Sequence, residues 1–168
     1  MNLKEYLPRF KIPEGLDHDK PHIWIASWFG CGFVSPAPGT WGSLGAIPPG
    51  IIICALTGTT GLLWAVLLAT IIGLWASQRF DEDIDGHDSK MIVIDEVAGM
   101  WIAMIPAGYN PILLIMAFAA FRAFDITKPW PACLFNDEIK GSAGVMGDDL
   151  VAGIMAALLV GAVHWLML

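Results

Sequence analysis

Long apolar runs separated by short polar or turn-forming segments dominate this chain. They cover residues 44–56, 62–77, 91–106, 112–124 and 149–168. Most lack helix-breaking residues, so the pattern predicts helices with apolar surroundings. It favours an all-α integral membrane bundle of about five short helices. Several runs are only about 16 residues long, against about 20 for a full membrane crossing, so tilt or partial immersion is expected.

Two segments rich in proline and glycine leave the helix boundaries open. Residues 35–43 hold two prolines and two glycines, which predicts an irregular loop that ends at an N-cap, Thr40 or Ser43. Pro48 and Pro49 are tolerated near a helix start or at a kink. Residues 51–77 fit either a hairpin of two short helices that turns at 58–61, or a single membrane span.

The positions of the charges favour the hairpin. All nine basic and all sixteen acidic residues lie in 1–20, 79–96 and 122–149. With a hairpin, these three segments meet on one face of the bundle. A single span would separate the first from the other two unless residues 22–48 also cross. Lys and Arg mark the cytoplasmic side of a membrane protein, so we expect the charged residues 1–28 to form a cytosolic or interfacial arm. A chain of this length is expected to form one domain, residues 1–168.

Composition supports a membrane protein and excludes some functions. Hydrophobic residues make up 56%, charged residues 15%, and the mean hydropathy is +0.63. Soluble domains contain about 45–50% hydrophobic residues and about 25% charged residues. An unusually apolar soluble bundle is the alternative. A net charge of −7 argues against nucleic acid as a partner. The three cysteines have no metal-site spacing and indicate free thiols in a reducing compartment. The sequence does not indicate an oligomeric state.

Carboxylates at the ends of the apolar runs are the main candidates for chemistry. Asp95 and Glu96 interrupt one run, which is costly unless the charges are compensated. Asp95 shares a helix face with Gly99 and Ala103, because residues four apart align. Asp149 shares one with Gly153 and Ala157 in the same way. Small residues on one face indicate close helix contact, so Asp95 and Asp149 should point into the bundle.

Converging carboxylates require a counter-charge. Bound Mg²⁺ suits hard oxygen ligands and retains positions for a substrate phosphate. Arg122 and Lys128, each three residues from Asp125, suit the remaining phosphate oxygens. The alternative is structural: Arg122 and Asp125 form a salt bridge, and the acidic pairs cap helix N-termini.

Three blocks of this sequence resemble the phosphatidylglycerophosphatase A family. They are Gly32–Leu44, Ile92–Met100, and Phe121–Pro131 taken with Gly144–Gly153. The resemblance covers most of residues 29–155. It implies a bacterial inner-membrane phosphatase, multi-pass, with its active site facing the cytoplasm. Such an enzyme uses Mg²⁺ to hydrolyse phosphatidylglycerophosphate to phosphatidylglycerol and phosphate in phospholipid biosynthesis.

The site predicted from residues and resemblance together has three overlapping groups. The catalytic residues are Asp95, Glu96, Asp125 and Asp149; the metal ligands are Asp95, Asp125, Asp148 and Asp149; the phosphate-binding residues are Arg122, Lys128, Thr40 and Ser43. A metal-bound water or a carboxylate could be the nucleophile. The rival functions are a CDP-alcohol phosphotransferase-like enzyme, whose aspartate motif is missing, and a non-enzymatic cation-binding or transport protein.

Overall fold

The computed structural model describes residues 7–12, 16–17, 19–84, 89–131 and 141–167. Parts of the predicted arm and of two polar loops therefore lie outside the described residues. The described chain is almost entirely helical, so the all-α prediction is confirmed. Its elements are β1 Arg9–Phe10, α1 Pro21–Ala26, a 3₁₀ turn Cys31–Phe33, β2 Val34–Ser35, α2 Pro38–Asp83, α3 Ile94–Met104, α4 Pro111–Thr127 and α5 Ser142–Leu166.

Helix α2 is folded back on itself at Gly58. There the backbone has φ 69° and ψ −171°, and glycine adopts such a positive φ without strain. Gly42 lies against Val93, and Gly73 lies against the neighbouring Ile94. A straight helix would separate Gly42 and Gly73 by about 46 Å at 1.5 Å per residue. The two halves therefore run in opposite directions, and the hairpin interpretation of 51–77 is confirmed.

Helix α2 begins earlier than the sequence indicates. Its N-cap is Ala37, with φ 61°, and Pro38 is the first helical residue. The predicted N-caps Thr40 and Ser43 are wrong, because proline fits the first turn of a helix, where its missing N–H has no intrahelical partner. Helix α5 likewise begins at Ser142. Asp148 and Asp149 therefore lie within α5 and do not cap it.

Helix α3 lies at the centre of the bundle, and glycines on α3 and α5 are in contact where the two helices cross. A Cβ atom on Gly153 would lie 2.4 Å from the Gly99 carbonyl oxygen, and one on Gly99 would lie 2.6 Å from the Asp149 carbonyl oxygen. Only glycine permits this approach at both positions. Asp95 and Asp149 are 4% exposed, as their spacing from these glycines predicts.

The two ends of the bundle differ in polarity. At one end, the Tyr109 hydroxyl donates to the Cys54 carbonyl at 2.7 Å, and His164 Nδ1 bonds the Pro106 carbonyl at 2.7 Å. The turn at Gly58, the turn at 106–110 and the end of α5 thus gather there, with no Lys, Arg, Asp or Glu among them. The described charged residues are confined to the opposite end.

Two helical elements among the described residues are long and apolar enough to cross a membrane. They are Pro38–Asp83 and Ser142–Leu166, and only 11% and 28% of their most apolar 18-residue windows are buried. The core helix of a soluble protein would be mostly buried, so this surface fits a membrane protein.

The described part of the N-terminal arm is anchored to the bundle. β1 pairs antiparallel with β2. Asp83 at the end of α2 binds both Lys20 Nζ and His22 Nε2 at 2.7 Å. These contacts hold α1 beside the charged end of the bundle.

The indole of Trp101 fastens α3 to the first half of α2. Its Nε1 donates to the Ala46 carbonyl at 2.8 Å, and the residue is 5% exposed. Trp101→Phe should lower the free energy of unfolding by about 1–3 kcal/mol, because it removes a buried hydrogen bond and part of a packed ring. Unfolding in mixed micelles measures this. Trp165→Phe, at a position that is 74% exposed, is the matched control. Equal stability of the two variants would contradict the assignment.

Candidate active site

A cavity of about 270 Å³ opens at the charged end of the bundle. The beginnings of α2 and α3, the end of α4 and the first turns of α5 form its walls. Seven of the nine predicted site residues line it, from three different helices and the segment after α4. These are Asp95, Glu96, Arg122, Asp125, Lys128, Asp148 and Asp149.

The backbone at this cavity favours negative charge. Pro38 and Gly39, in the first turn of α2, line it, as do Asp95 and Glu96 in the first turn of α3. The N-terminus of a helix carries partial positive charge and N–H groups without intrahelical acceptors. Two such termini converge on one cavity, which helps to tolerate carboxylates there and favours an anionic ligand.

The two carboxylates of α3 have different surroundings. Asp95 Oδ1 accepts from the Glu96 backbone N–H at 2.9 Å, which orients that carboxylate within the first turn. Glu96 lies against the start of α2, where a Cβ on Gly39 would be 1.7 Å from Glu96 Oε1. Glycine at position 39 is therefore what allows the Glu96 side chain to enter the cavity.

Arg122, on α4, links three helices of the site. Its Nη1 lies 2.7 Å from Asp125 Oδ2, 3.2 Å from Glu96 Oε1 and 3.4 Å from Ser43 Oγ. The Arg122–Asp125 bridge is the structural alternative that the sequence left open, and it is present. The same guanidinium still lines the cavity, so the bridge orients Arg122 and leaves it facing the site.

Lys128 is fixed from the opposite side of the cavity. It follows α4 in a left-handed conformation, φ 42°, and its Nζ donates to Asp148 Oδ2. Burial lowers the pKa of Lys128, but the Asp148 hydrogen bond and the charges of Asp149 and Asp125 outweigh it, so the pKa is raised above its usual value. Lys128 is therefore positively charged at every physiological pH.

Two predicted phosphate-binding residues are set back from the cavity. Ser43 is buried, and its Oγ donates to the Gly39 carbonyl at 2.8 Å while it accepts from Arg122. Ser43 therefore supports Arg122. Thr40 is half-buried in the first turn of α2 and does not line the cavity. Gly39, one residue earlier, takes the place that Thr40 was expected to hold.

The carboxylate donors fit a bound cation, although they do not form a complete cage. Within the described ranges, no three carboxylate, imidazole or thiolate groups converge as a ready ligand set. However, Glu96 Oε2 and Asp148 Oδ1 are buried without a hydrogen-bond partner. The carboxyl groups of Asp149 and Asp125 line the same cavity, where their negative charges interact. A shared proton or a bound cation relieves such repulsion, and Mg²⁺ needs few protein ligands because it retains water.

Sequence reasoning missed two polar residues that line the cavity, Ser89 and Lys90. They belong to the polar segment that precedes α3. One lysine among many charges carries no motif, so the sequence contained no signal that would single it out.

Comparison with known proteins identifies the family. The family model for phosphatidylglycerophosphatase A matches residues 24–164. The chain belongs to the phosphatidylglycerophosphatase A family. The predicted resemblance is thus confirmed, and the protein is an enzyme, a phosphatase.

Curated relatives agree with this assignment over most of the chain. The phosphatidylglycerophosphatase A of Haemophilus influenzae is 38% identical and covers 86% of this chain and 89% of its own. That of Escherichia coli is 35% identical and covers 95% of each. A putative phosphatidylinositol-3-phosphatase of Bacteroides thetaiotaomicron is 37% identical and covers 86% of this chain and 94% of its own. No solved structure matches this phosphatidylglycerophosphatase A family member.

Proposed function

We propose that this protein is a Mg²⁺-dependent lipid phosphatase that hydrolyses phosphatidylglycerophosphate to phosphatidylglycerol and phosphate. The observation that carries the proposal is the charged cavity, where five carboxylates and two paired cations meet at one end of an apolar bundle. A lipid phosphate lies at the surface of a bilayer, at the depth where such a cavity would be. Membership of the phosphatidylglycerophosphatase A family supports the choice of substrate.

The reaction is a hydrolysis, in which the bond between phosphorus and the glycerol oxygen breaks. A nucleophilic oxygen, from water or from a site carboxylate, attacks phosphorus, and the glycerol oxygen takes up a proton as it leaves. If a carboxylate attacks, water then cleaves the acyl phosphate that forms and releases inorganic phosphate. Arg122 and Lys128 offset the negative charge on the non-bridging oxygens of the phosphoryl group. If water attacks, a cavity carboxylate must accept its proton, and Glu96, which lines the cavity and bonds to Arg122 through Oε1, is the proposed base.

The proposed Mg²⁺ would be held by Asp95, Asp125, Asp148 and Asp149. When bound, the ion neutralises charge on the phosphate and polarises it for attack. The orphaned Asp148 Oδ1 and the facing carboxyl groups of Asp125 and Asp149 support this assignment. Lys128 then orients Asp148 through its other oxygen.

The proposed location is a bacterial inner membrane, crossed several times, with the cavity on the cytoplasmic side. The separation of a charged end from an apolar end supports it, because every Lys and Arg of the described chain falls at the charged end. Exposed apolar side chains along α2, α4 and α5 would face lipid. Among them are Trp64, Ile115 and Leu158, which are 62%, 71% and 70% exposed.

Phosphate release from phosphatidylglycerophosphate in mixed micelles tests the function. We expect release with Mg²⁺, loss of at least about a hundredfold with a chelator, and recovery when Mg²⁺ is restored. Undiminished release in the presence of chelator would refute the metal assignment. If the enzyme releases no phosphate from this lipid but hydrolyses phosphatidylinositol 3-phosphate, its activity is that of a phosphatidylinositol-3-phosphatase, as the name of the Bacteroides relative states. A CDP-alcohol phosphotransferase would release no phosphate, and a transport protein would turn over neither lipid.

A further inference from the structure

Lys90 differs from the other cations of the cavity because no carboxylate of the described residues forms an ion pair with it. Arg122 is paired with Glu96 and Asp125, and Lys128 is paired with Asp148. Lys90 lines the same cavity and is exposed, and no carboxylate of the described residues lies within ion-pair distance of its ammonium. A positive charge at the mouth of an acidic cavity, without a partner in the described chain, is suited to a negative group of the ligand.

The backbone that carries Lys90 is held in place. The Ile92 N–H donates to the Ser89 carbonyl at 2.9 Å, and the Val93 N–H donates to the Ala26 carbonyl at 2.9 Å. The Met91 carbonyl oxygen packs so closely on Gly32 that a Cβ there would lie 1.9 Å away. Lys90 is therefore presented from a turn that precedes α3 and is tied to the end of α1, so that its position at the cavity mouth is defined by the fold.

The proposed substrate has two negatively charged phosphates. One is the terminal phosphomonoester, which reacts; the other is the phosphodiester that joins the headgroup to diacylglycerol. Arg122, Lys128, the carboxylates and the proposed metal account for the reacting phosphate. The second must remain nearer the mouth, because it is attached to the part of the lipid that stays in the bilayer.

We propose that Lys90 binds this second phosphate and so selects lipids that carry a phosphodiester together with a terminal phosphomonoester. This rests on the proposed function. It makes Lys90 a specificity residue that contacts the part of the substrate that does not react. Its contribution therefore appears in substrate binding more than in the chemical step.

The test compares Lys90→Gln with the wild-type enzyme on phosphatidylglycerophosphate in mixed micelles. We expect KM to rise about tenfold with kcat within about twofold, because one charge-assisted contact is lost. Inhibition by phosphatidylglycerol, which retains only the phosphodiester, should weaken by a similar factor. Inhibition by inorganic phosphate, which represents only the reacting group, should be unchanged. Lys90→Arg should restore KM.

Lys11→Gln is the matched control, since it removes the same charge from an exposed lysine outside the cavity. Lys11→Gln should leave KM, kcat and the inhibition constants of phosphatidylglycerol and inorganic phosphate within about twofold of the wild-type values. A rise in KM equal to that of Lys90→Gln would assign the effect to general attraction of anionic lipid. An unchanged KM in Lys90→Gln, or an equal weakening of phosphate inhibition, would overturn the proposal. If the wild-type enzyme fails to hydrolyse phosphatidylglycerophosphate, the proposed function itself fails, and that result is separate from these.

Discussion

Asp95→Asn is expected to abolish phosphate release, with a loss of at least about a thousandfold in kcat, while the protein remains folded. Asp95 is 4% exposed and lines the cavity with the other carboxylates. Asparagine keeps the size of the side chain, and its oxygen can still accept the Glu96 N–H bond that Asp95 Oδ1 accepts. Only the negative charge is lost, and that charge is what a metal ligand or a nucleophile requires.

The measurement is phosphate release from lipid substrate together with unfolding in the same detergent. Glu82→Gln is the control, because Glu82 lies at the charged end, is exposed and, within the described part of the chain, forms an ion pair only with Arg79. It should keep activity within about twofold. Turnover by Asp95→Asn close to that of wild type would remove Asp95 from the site. Loss of folding would instead show that Asp95 is structural, and Asp95→Glu would then separate charge from shape.

Gly153→Val is expected to have the largest effect on stability, a loss of more than about 3 kcal/mol or failure to fold. The first added carbon would lie 2.4 Å from the Gly99 carbonyl oxygen and 2.9 Å from Gly99 Cα. Both contacts are with backbone, so no side chain can move aside, and α3 and α5 must separate. Because Asp95 and Asp149 each lie one turn before these glycines, separation of the helices also disperses the carboxylates.

Gly161→Ala is the matched control on the same helix. An added Cβ there meets its nearest atom, Pro106 Cβ, at 3.5 Å, which is an ordinary contact. Alanine is also the better helix former by about 1 kcal/mol, so this variant should be as stable as wild type or slightly more stable. The free energies of unfolding of both variants, measured in the same micelles, test whether the close contact at Gly153 is required for stability. Equal stability of Gly153→Val and wild type would mean that α3 and α5 do not cross closely in solution.

Several features could be predicted from sequence because they depend on periodicity and composition. Apolar runs predicted the helices, and the confinement of charge to three segments predicted the hairpin at Gly58. The four-residue spacing of Asp95 from Gly99, and of Asp149 from Gly153, predicted which acids point inward. These inferences hold because an apolar bundle leaves few ways to compensate a charge or to bring two backbones together.

Features set by contacts distant in sequence could not be predicted in this way. Residues 38–43 resemble a loop by composition, yet they form the first turn of α2. The reason is that Pro38 fits a first turn and Gly39 makes room for Glu96, a residue on another helix. Thr40 and Ser43 were assigned to phosphate as part of a segment expected to present backbone N–H groups at a helix start. In the fold, Ser43 supports Arg122, and Thr40 is not among the residues that line the cavity.

By itself, the sequence determined the helical class, the family and the carboxylates that face inward, because these follow from spacing and composition along the chain. Only the tertiary structure decided how the charges are paired. Arg122 is shared among Glu96, Asp125 and Ser43, Lys128 is held by Asp148, and Lys90 is left at the mouth. The Arg122–Asp125 bridge is a local pair on α4, but the other pairings depend on distances between side chains of different segments, which local sequence does not encode.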